Sequence, residues 1–154
     1  MKHIQILGKL ESKFFADFDN NEIEIWSMNK HHDEDMIPRV DKWFDLHQEP
    51  ARPNSDYLVD NFPFEECHEL LGGPMFCTTA AYMIAFAILQ GADIITLLGM
   101  RFQSDGNPRR QRELECVRHL IYFAKGRGID VRIPEDYDYL IPDYTVPDGE
   151  DFDQ

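Results

Sequence analysis

Cysteine is scarce in this chain of 154 residues: Cys67, Cys77 and Cys116 are an odd number without CxxC spacing. Neither a disulfide framework nor a thiolate metal site is expected, and the three thiols read as reduced groups in a cytoplasmic protein. No run of about 18 apolar residues occurs, which argues against a membrane span. The start, MKHIQILGKL, turns polar too soon for a secretion signal. Basic residues are few as well, 15 Lys and Arg against 29 Asp and Glu, for a net charge of −14. Binding to nucleic acid needs cations that neutralise phosphates, so no nucleic-acid partner is expected.

The usual catalytic loops are also missing. After the first strand-like segment stands Gly8-Lys9-Leu10-Glu11-Ser12, without the GxGxxG glycines that let a backbone approach a pyrophosphate. Neither a GxxxxGK[ST] loop nor a GxSxG elbow is present. The run His31-His32-Asp33-Glu34-Asp35 sets candidate metal ligands side by side. Adjacent residues do not match the spacing of a metal site, and the run reads as an exposed loop, so no metal or cofactor is expected.

What is present is an alternation of strand and helix. Strands are expected at residues 3–7, 22–26, 43–46, 94–98 and 129–133, the last stopped by Pro134. Helices are expected at residues 11–17, 78–90 and 108–125. The second is apolar on every side, which predicts burial and a need for cover beyond one small domain, hence a homo-oligomer, with a dimer as the expected form. The third has Asn107 as N-cap, Pro108 at its first position and Gly126 as its stop. This order predicts an α/β, Rossmann-like fold: a mainly parallel sheet of about five strands with helices on both faces. The domain covers residues 1–134. Residues 135–154 form an acidic C-terminal tail with eight acids and no Lys or Arg. Tyr137, Tyr139, Leu140 and Tyr144 are expected to pin this tail in part.

In a parallel sheet the residues just after the strands share one edge, where ligands bind. Here they include Gly8 and Lys9, Asn29, His47 and Arg101. Arg109 and Arg110 open the third helix, where cations oppose the helix dipole by roughly 0.3–1 kcal/mol each. One reading is an anion site of helix N–H groups and arginine forks; the other is surface arginines paired with Glu113, Glu115 or the tail. Thr78 and Thr79 open the apolar helix and either cap it or meet a ligand. His47 is the best candidate for a general base. Asp45, two residues back on the same strand face, is placed to orient it.

Several stretches together carry a resemblance. They are Ile6-Leu7-Gly8, Trp26-Ser27-Met28-Asn29, Trp43-Phe44-Asp45-Leu46-His47, Thr78-Thr79-Ala80-Ala81-Tyr82-Met83 through Gly91-Ala92-Asp93, and Gly126-Arg127-Gly128-Ile129-Asp130-Val131. In these the chain resembles small phage and prophage Rossmann-like proteins. It is similar in pattern to the central domain of motility accessory factors and, more distantly, to sialyltransferase-type sheets. The resemblance spans residues 4–134 and implies a nucleotide or nucleotide-linked ligand lined by Asn29, His47, Thr78 and Thr79.

Two functions follow as expectations. The first is non-catalytic binding of a nucleotide-derived anion, as in a phage protein that sequesters a host signal nucleotide; it is favoured because no activated nucleophile or metal set is visible. The second is a small transferase or hydrolase acting on a nucleotide or nucleotide-sugar, with His47 as base.

Overall fold

The computed structural model describes residues 1–74, 76, 78–101 and 105–134. The acidic tail expected at 135–154 and Cys77 lie outside these residues. Among the described residues six parallel strands form one sheet: β1 (His3–Leu7), β2 (Ile23–Met28), β3 (Lys42–Asp45), β4 (Tyr57–Leu58), β5 (Ile94–Leu98) and β6 (Asp130–Arg132). Their order is β4-β3-β2-β1-β5-β6. The chain therefore steps outward from β1 to β4, crosses back, and steps outward again from β5 to β6. The reversal falls between β1 and β5, whose register pairs Leu7 with Leu98. The α/β, Rossmann-like fold expected from the sequence is present.

Side chains alternate across the sheet, as a strand period of two requires. Ile4, Ile6, Trp26, Met28, Phe44, Ile95, Leu97 and Val131 face the main core. Three helices cover that face: α1 (Phe64–Leu71), α2 (Thr79–Leu89) and α3 (Pro108–Gly126). On the opposite face Leu7, Ile23, Ile25 and Leu98 form a smaller cluster, against which the partly buried Ala16, Phe18 and Ile37 pack among the described residues. The cover there includes the 3-10 helix Glu11–Phe15. Polar groups on this face are paired within it. The Gln5 amide exchanges two hydrogen bonds of 2.8 Å with Asp17, and His3 lies 2.8 Å from the Thr96 hydroxyl.

Two elements differ from expectation. β4 is only two residues long and carries no readable pattern. Helix α1 had a pattern: Phe64, Cys67, Leu70 and Leu71 fall at helical spacing, Glu65 and Glu66 sit in the first turn, and Gly72 ends it at φ 78°. Cys67 is fully buried, and burial aided by Glu66 pushes its thiol up to about 12. Helix α3 runs through Gly126, with its cap at Arg127 and the left-handed turn at Gly128. Helix α2 is buried along nearly its whole length, and α1, α3 and the sheet provide its cover within one chain. Its apolar circumference therefore gives no argument for a partner subunit, which corrects the reasoning behind the expected oligomer.

The turns after β1 and β5 touch directly. The Gly8 N–H donates to the Leu98 carbonyl at 2.7 Å, and the Leu10 N–H to the Gly99 carbonyl at 2.9 Å. A Cβ on Gly8 would stand 2.3 Å from the Gly99 oxygen, a backbone atom with no room to yield. Gly8→Ala should therefore destabilise the fold by about 1–3 kcal/mol. An unchanged urea midpoint would contradict this packing.

Candidate functional site

Helices that return antiparallel to parallel strands start at the C-terminal edge of the sheet. α2 and α3 both do so, and a cavity of about 150 Å3 lies between their first turns and the end of β5. Thr78, Met100, Arg101, Arg110 and Glu113 are among the residues that line it. Three predicted ligand residues, Thr78, Arg101 and Arg110, thus share one cleft. Thr78 is the N-cap of α2 by position, yet its side chain makes no cap hydrogen bond. The capping hydrogen bond expected of its hydroxyl is absent among the described residues, and Thr78 lines the cleft.

The arginines converge on one carboxylate. Arg101 hydrogen-bonds Asp105 Oδ2, and Arg110 Nη1 lies 3.7 Å from the same oxygen. Asp105 sits at φ 52°, a left-handed conformation unusual for a residue with a side chain. Asn107 caps α3 as expected, accepting from the Arg109 and Arg110 amides at 2.9 and 3.4 Å. Those amides are satisfied, so an anion here would be held by side chains rather than by helix N–H groups. Arg109 faces outward and pairs with Glu113 at 3.4 Å. The surface-pairing reading holds for this residue, and Arg109 is not among the described residues that line the cleft.

The other predicted positions are distributed along the edge. Gly8 is held against Gly99 rather than open to a ligand. Lys9 is exposed, and its carbonyl accepts from Lys13 at 3.0 Å. Thr79 is buried in α2. Asn29 turns at φ 59°; its carbonyl accepts from the Trp43 indole at 2.7 Å, while its buried Oδ1 has no hydrogen-bond partner among the described residues. Beyond β3, His47 Nδ1 lies 2.6 Å from Asp45 Oδ1, so the geometry suggested by their spacing is realised. Asp45 is fully buried and also accepts the Arg52 N–H at 2.9 Å, whereas the His47 side chain is half exposed. The ring thus has one nitrogen fixed on a carboxylate and the other outward. β3 and β5 stand three strand positions apart, about 14 Å. His47 and the arginine cleft are therefore two places on one edge.

Between them lies a polar cluster that sequence reasoning missed. Lys13, on the 3-10 helix after β1, is fully buried. Its ammonium donates to the Lys9 carbonyl and to His31 Nδ1, each at 3.0 Å, and pairs with Asp33. All three of its N–H bonds are thereby used. His31 aims its Nε2–H at the Met28 carbonyl, 2.8 Å away, and is 2% exposed. This corrects the exposed-loop reading: His32 is exposed, but His31 is core. Burial, with the Lys13 cation beside it, holds the His31 ring below its ordinary value. The hydrogen bond from Lys13 holds the Asp33 carboxyl below its own. Within ESKFF and HHDED nothing marked Lys13 and His31 as inward; only their long-range pairing does. Among the described residues no group of three or more His, Cys, Asp or Glu is arranged to hold a metal ion. No helix among them is long and apolar enough to cross a membrane.

No protein-family model matches the chain, and no curated protein matches it in sequence. Solved structures do resemble it in shape. One is the sialyltransferase CstII from Campylobacter jejuni in complex with the substrate analogue CMP-3FNeuAc. It has 15% identity, a TM-score of 0.51, and an alignment covering 93% of this chain and 82% of the other. Another is the sialyltransferase CST-II in complex with a trisaccharide acceptor and CMP, with 14% identity, a TM-score of 0.55 and coverage of 99% and 98%. At such identities the likeness is one of fold.

Two histidines, the half-buried His3 and the buried His31, set a pH dependence. The folded chain holds His3 and His31 below their ordinary value of 6.5. Below about that pH the unfolded chain binds more protons, so stability is complete above it and declines as pH falls. The urea midpoint should be lower at pH 5.5 than at pH 7.5, and His31→Asn should narrow the gap. Equal midpoints for the unaltered chain would contradict the neutral rings of His3 and His31.

Proposed function

We propose that the protein binds a nucleotide-derived anionic small molecule, holding it rather than converting it, with the phosphate end in the cleft beyond β5. The observation that carries this reading is the meeting of Arg101 and Arg110 on one carboxylate oxygen at a cavity that Thr78 also lines. Where two guanidiniums share an internal oxyanion, an incoming phosphate finds two charge-assisted donors in place. The cleft adjoins the reversal between β1 and β5, where open α/β sheets hold ligands. Its volume of about 150 Å3 is below the roughly 300–1,000 Å3 of pockets that enclose a whole ligand. It takes one end of the molecule and leaves the rest along the strand ends, toward Lys9 and the unpaired Asn29 Oδ1. The similar solved structures are complexes with CMP and with CMP-3FNeuAc, which makes CMP the first probe.

A specific contact favours a second reading, a transferase acting on a nucleotide or nucleotide-sugar. Asp45 and His47 form an oriented carboxylate–imidazole pair, suited to accepting a proton from an attacking hydroxyl. In that case a donor molecule would bridge the edge from Arg101 to His47.

Calorimetric titration with CMP tests the cleft. Arg110→Ala should weaken binding by roughly tenfold to a hundredfold, the loss expected for a charged hydrogen bond of about 1.5–3 kcal/mol. Asp105→Asn should tighten it severalfold by removing the internal competitor. Unchanged affinity in Arg110→Ala would exclude this site. The two readings part at His47→Ala: a binder keeps its CMP affinity within a few-fold and turns nothing over, whereas a transferase releases CMP from a CMP-sugar and loses that turnover by orders of magnitude.

A further inference from the structure

The Asp45–His47 pair beyond β3 depends on groups from two loops. The Asp45 side chain has no exposed surface, so its carboxylate needs donors from the protein. It has three: His47 Nδ1 at 2.6 Å, the His47 backbone N–H at 3.4 Å and the Arg52 backbone N–H at 2.9 Å. The last comes from a residue seven positions further on, after the chain has left β3 and turned back. The Arg52 side chain is what fastens that return. Its guanidinium carbon lies 3.8 Å from a ring centroid of Trp43, a 6% exposed residue two positions before Asp45 on β3. Arg52 Nε donates to Glu34 Oε2 at 3.2 Å, and Glu34 Oε1 accepts the His31 N–H at 3.4 Å. The Arg52 carbonyl accepts from the Ser55 N–H and hydroxyl at 3.2 and 2.7 Å, which closes the turn behind it. Arg52 is thus stacked on an indole face and tied by a carboxylate of the loop after β2. With both charged side chains mostly shielded from water, each contact is stronger than on an open surface.

The geometry assigns Glu34 and Arg52 as positioning residues for His47. Their clamp on Trp43 keeps the Arg52 N–H at Asp45, and Asp45 keeps the ring by Nδ1 with Nε2 outward. A carboxylate only accepts, so the proton of the neutral ring sits on Nδ1 and the lone pair on Nε2. That is the reverse of the tautomer a free histidine ring prefers. With the clamp gone, the Arg52 N–H withdraws and a buried carboxylate is left short of a donor. It then turns toward other donors or draws in water, and the ring loses its fixed partner. Glu34 and Arg52 act through Asp45, so their effect is on how His47 is held. That Nε2 goes on to take a proton from an attacking hydroxyl rests on the transferase reading; the orientation of the ring does not.

Long-range nitrogen–proton correlation spectra of the full chain, labelled with nitrogen-15 in histidine, read which ring nitrogen carries the proton. At pH 7.5 the His47 signal, identified by its loss in His47→Gln, should show the proton mainly on Nδ1. Glu34→Gln and Arg52→Gln should each move the ratio severalfold toward Nε2–H. Arg52→Lys, which keeps a cation for Glu34 and for the indole, should restore most of it. Circular dichroism checks that each variant is folded, and Glu34→Gln removes a charge with no change of shape. A free-histidine tautomer ratio in the unaltered chain would overturn the proposal, as would an unchanged ratio in both folded Gln variants. A ratio that follows the clamp in a chain that releases no CMP from a CMP-sugar would uphold the positioning role and reject the transferase reading instead.

Discussion

The backbone contact between Gly8 and Gly99 governs the C-terminal edge of the sheet. β1 and β5 are neighbours in the sheet but far apart in sequence, and their turns meet with no side chain between them. That closeness lets the Gly8 N–H reach the Leu98 carbonyl and the Leu10 N–H reach the Gly99 carbonyl. It also sets the 3-10 helix over the strand ends, with the Ser12 hydroxyl accepting from the Gly99 N–H at 3.0 Å. Lys13, packed beside Gly99, then ties the β1 turn to the loop after β2 through His31 and Asp33. The crevice where the sheet reverses is thereby filled by the protein itself. Space for a ligand is displaced sideways, to the gap between β5, α2 and α3.

Charge follows the same layout. The chain is strongly acidic, yet two arginines meet beyond β5 and are held by Asp105 rather than dispersed. A lysine is buried under β1 and β2 at no evident cost in unpaired donors, because three acceptors take its three protons. In a chain of net charge −14, Arg101 and Arg110 make a local cationic notch beside the cleft. Such contrast selects by position and by charge together. The Asp45–His47 pair stands apart from the notch, three strand positions away along the edge.

Much of the fold could be read from the sequence because its signals are local. Residues 3–7 and 94–98 are compact runs bounded by turn residues, and both strands have those bounds. Asn107-Pro108 marks the start of α3 by capping chemistry alone. β4 could not be read, since two residues carry no period. α1 could have been found from Phe64, Cys67, Leu70 and Gly72. The site was legible in part for the same reason. Asp45 and His47 meet over a two-residue step where the chain leaves β3, a relation short enough to read from their spacing. Thr78, Arg101 and Arg110 come together only through the packing of α2 and α3 against β5, and their common partner Asp105 carries no sequence signal. Lys13 and His31 look like surface residues in their own segments, and only the close approach of the β1 and β5 turns brings them inside.

The most direct test is a nitrogen–proton correlation spectrum of the labelled protein, recorded while the four nucleoside monophosphates are titrated separately. If the cleft beyond β5 holds a nucleotide phosphate, at least one of them should move the amide signals of Thr78, Met100, Arg101 and Arg110, in a saturable way and more than those of β3, β4 and α1. No shift at millimolar nucleotide, or saturable shifts confined to residues away from that cleft, would contradict the site.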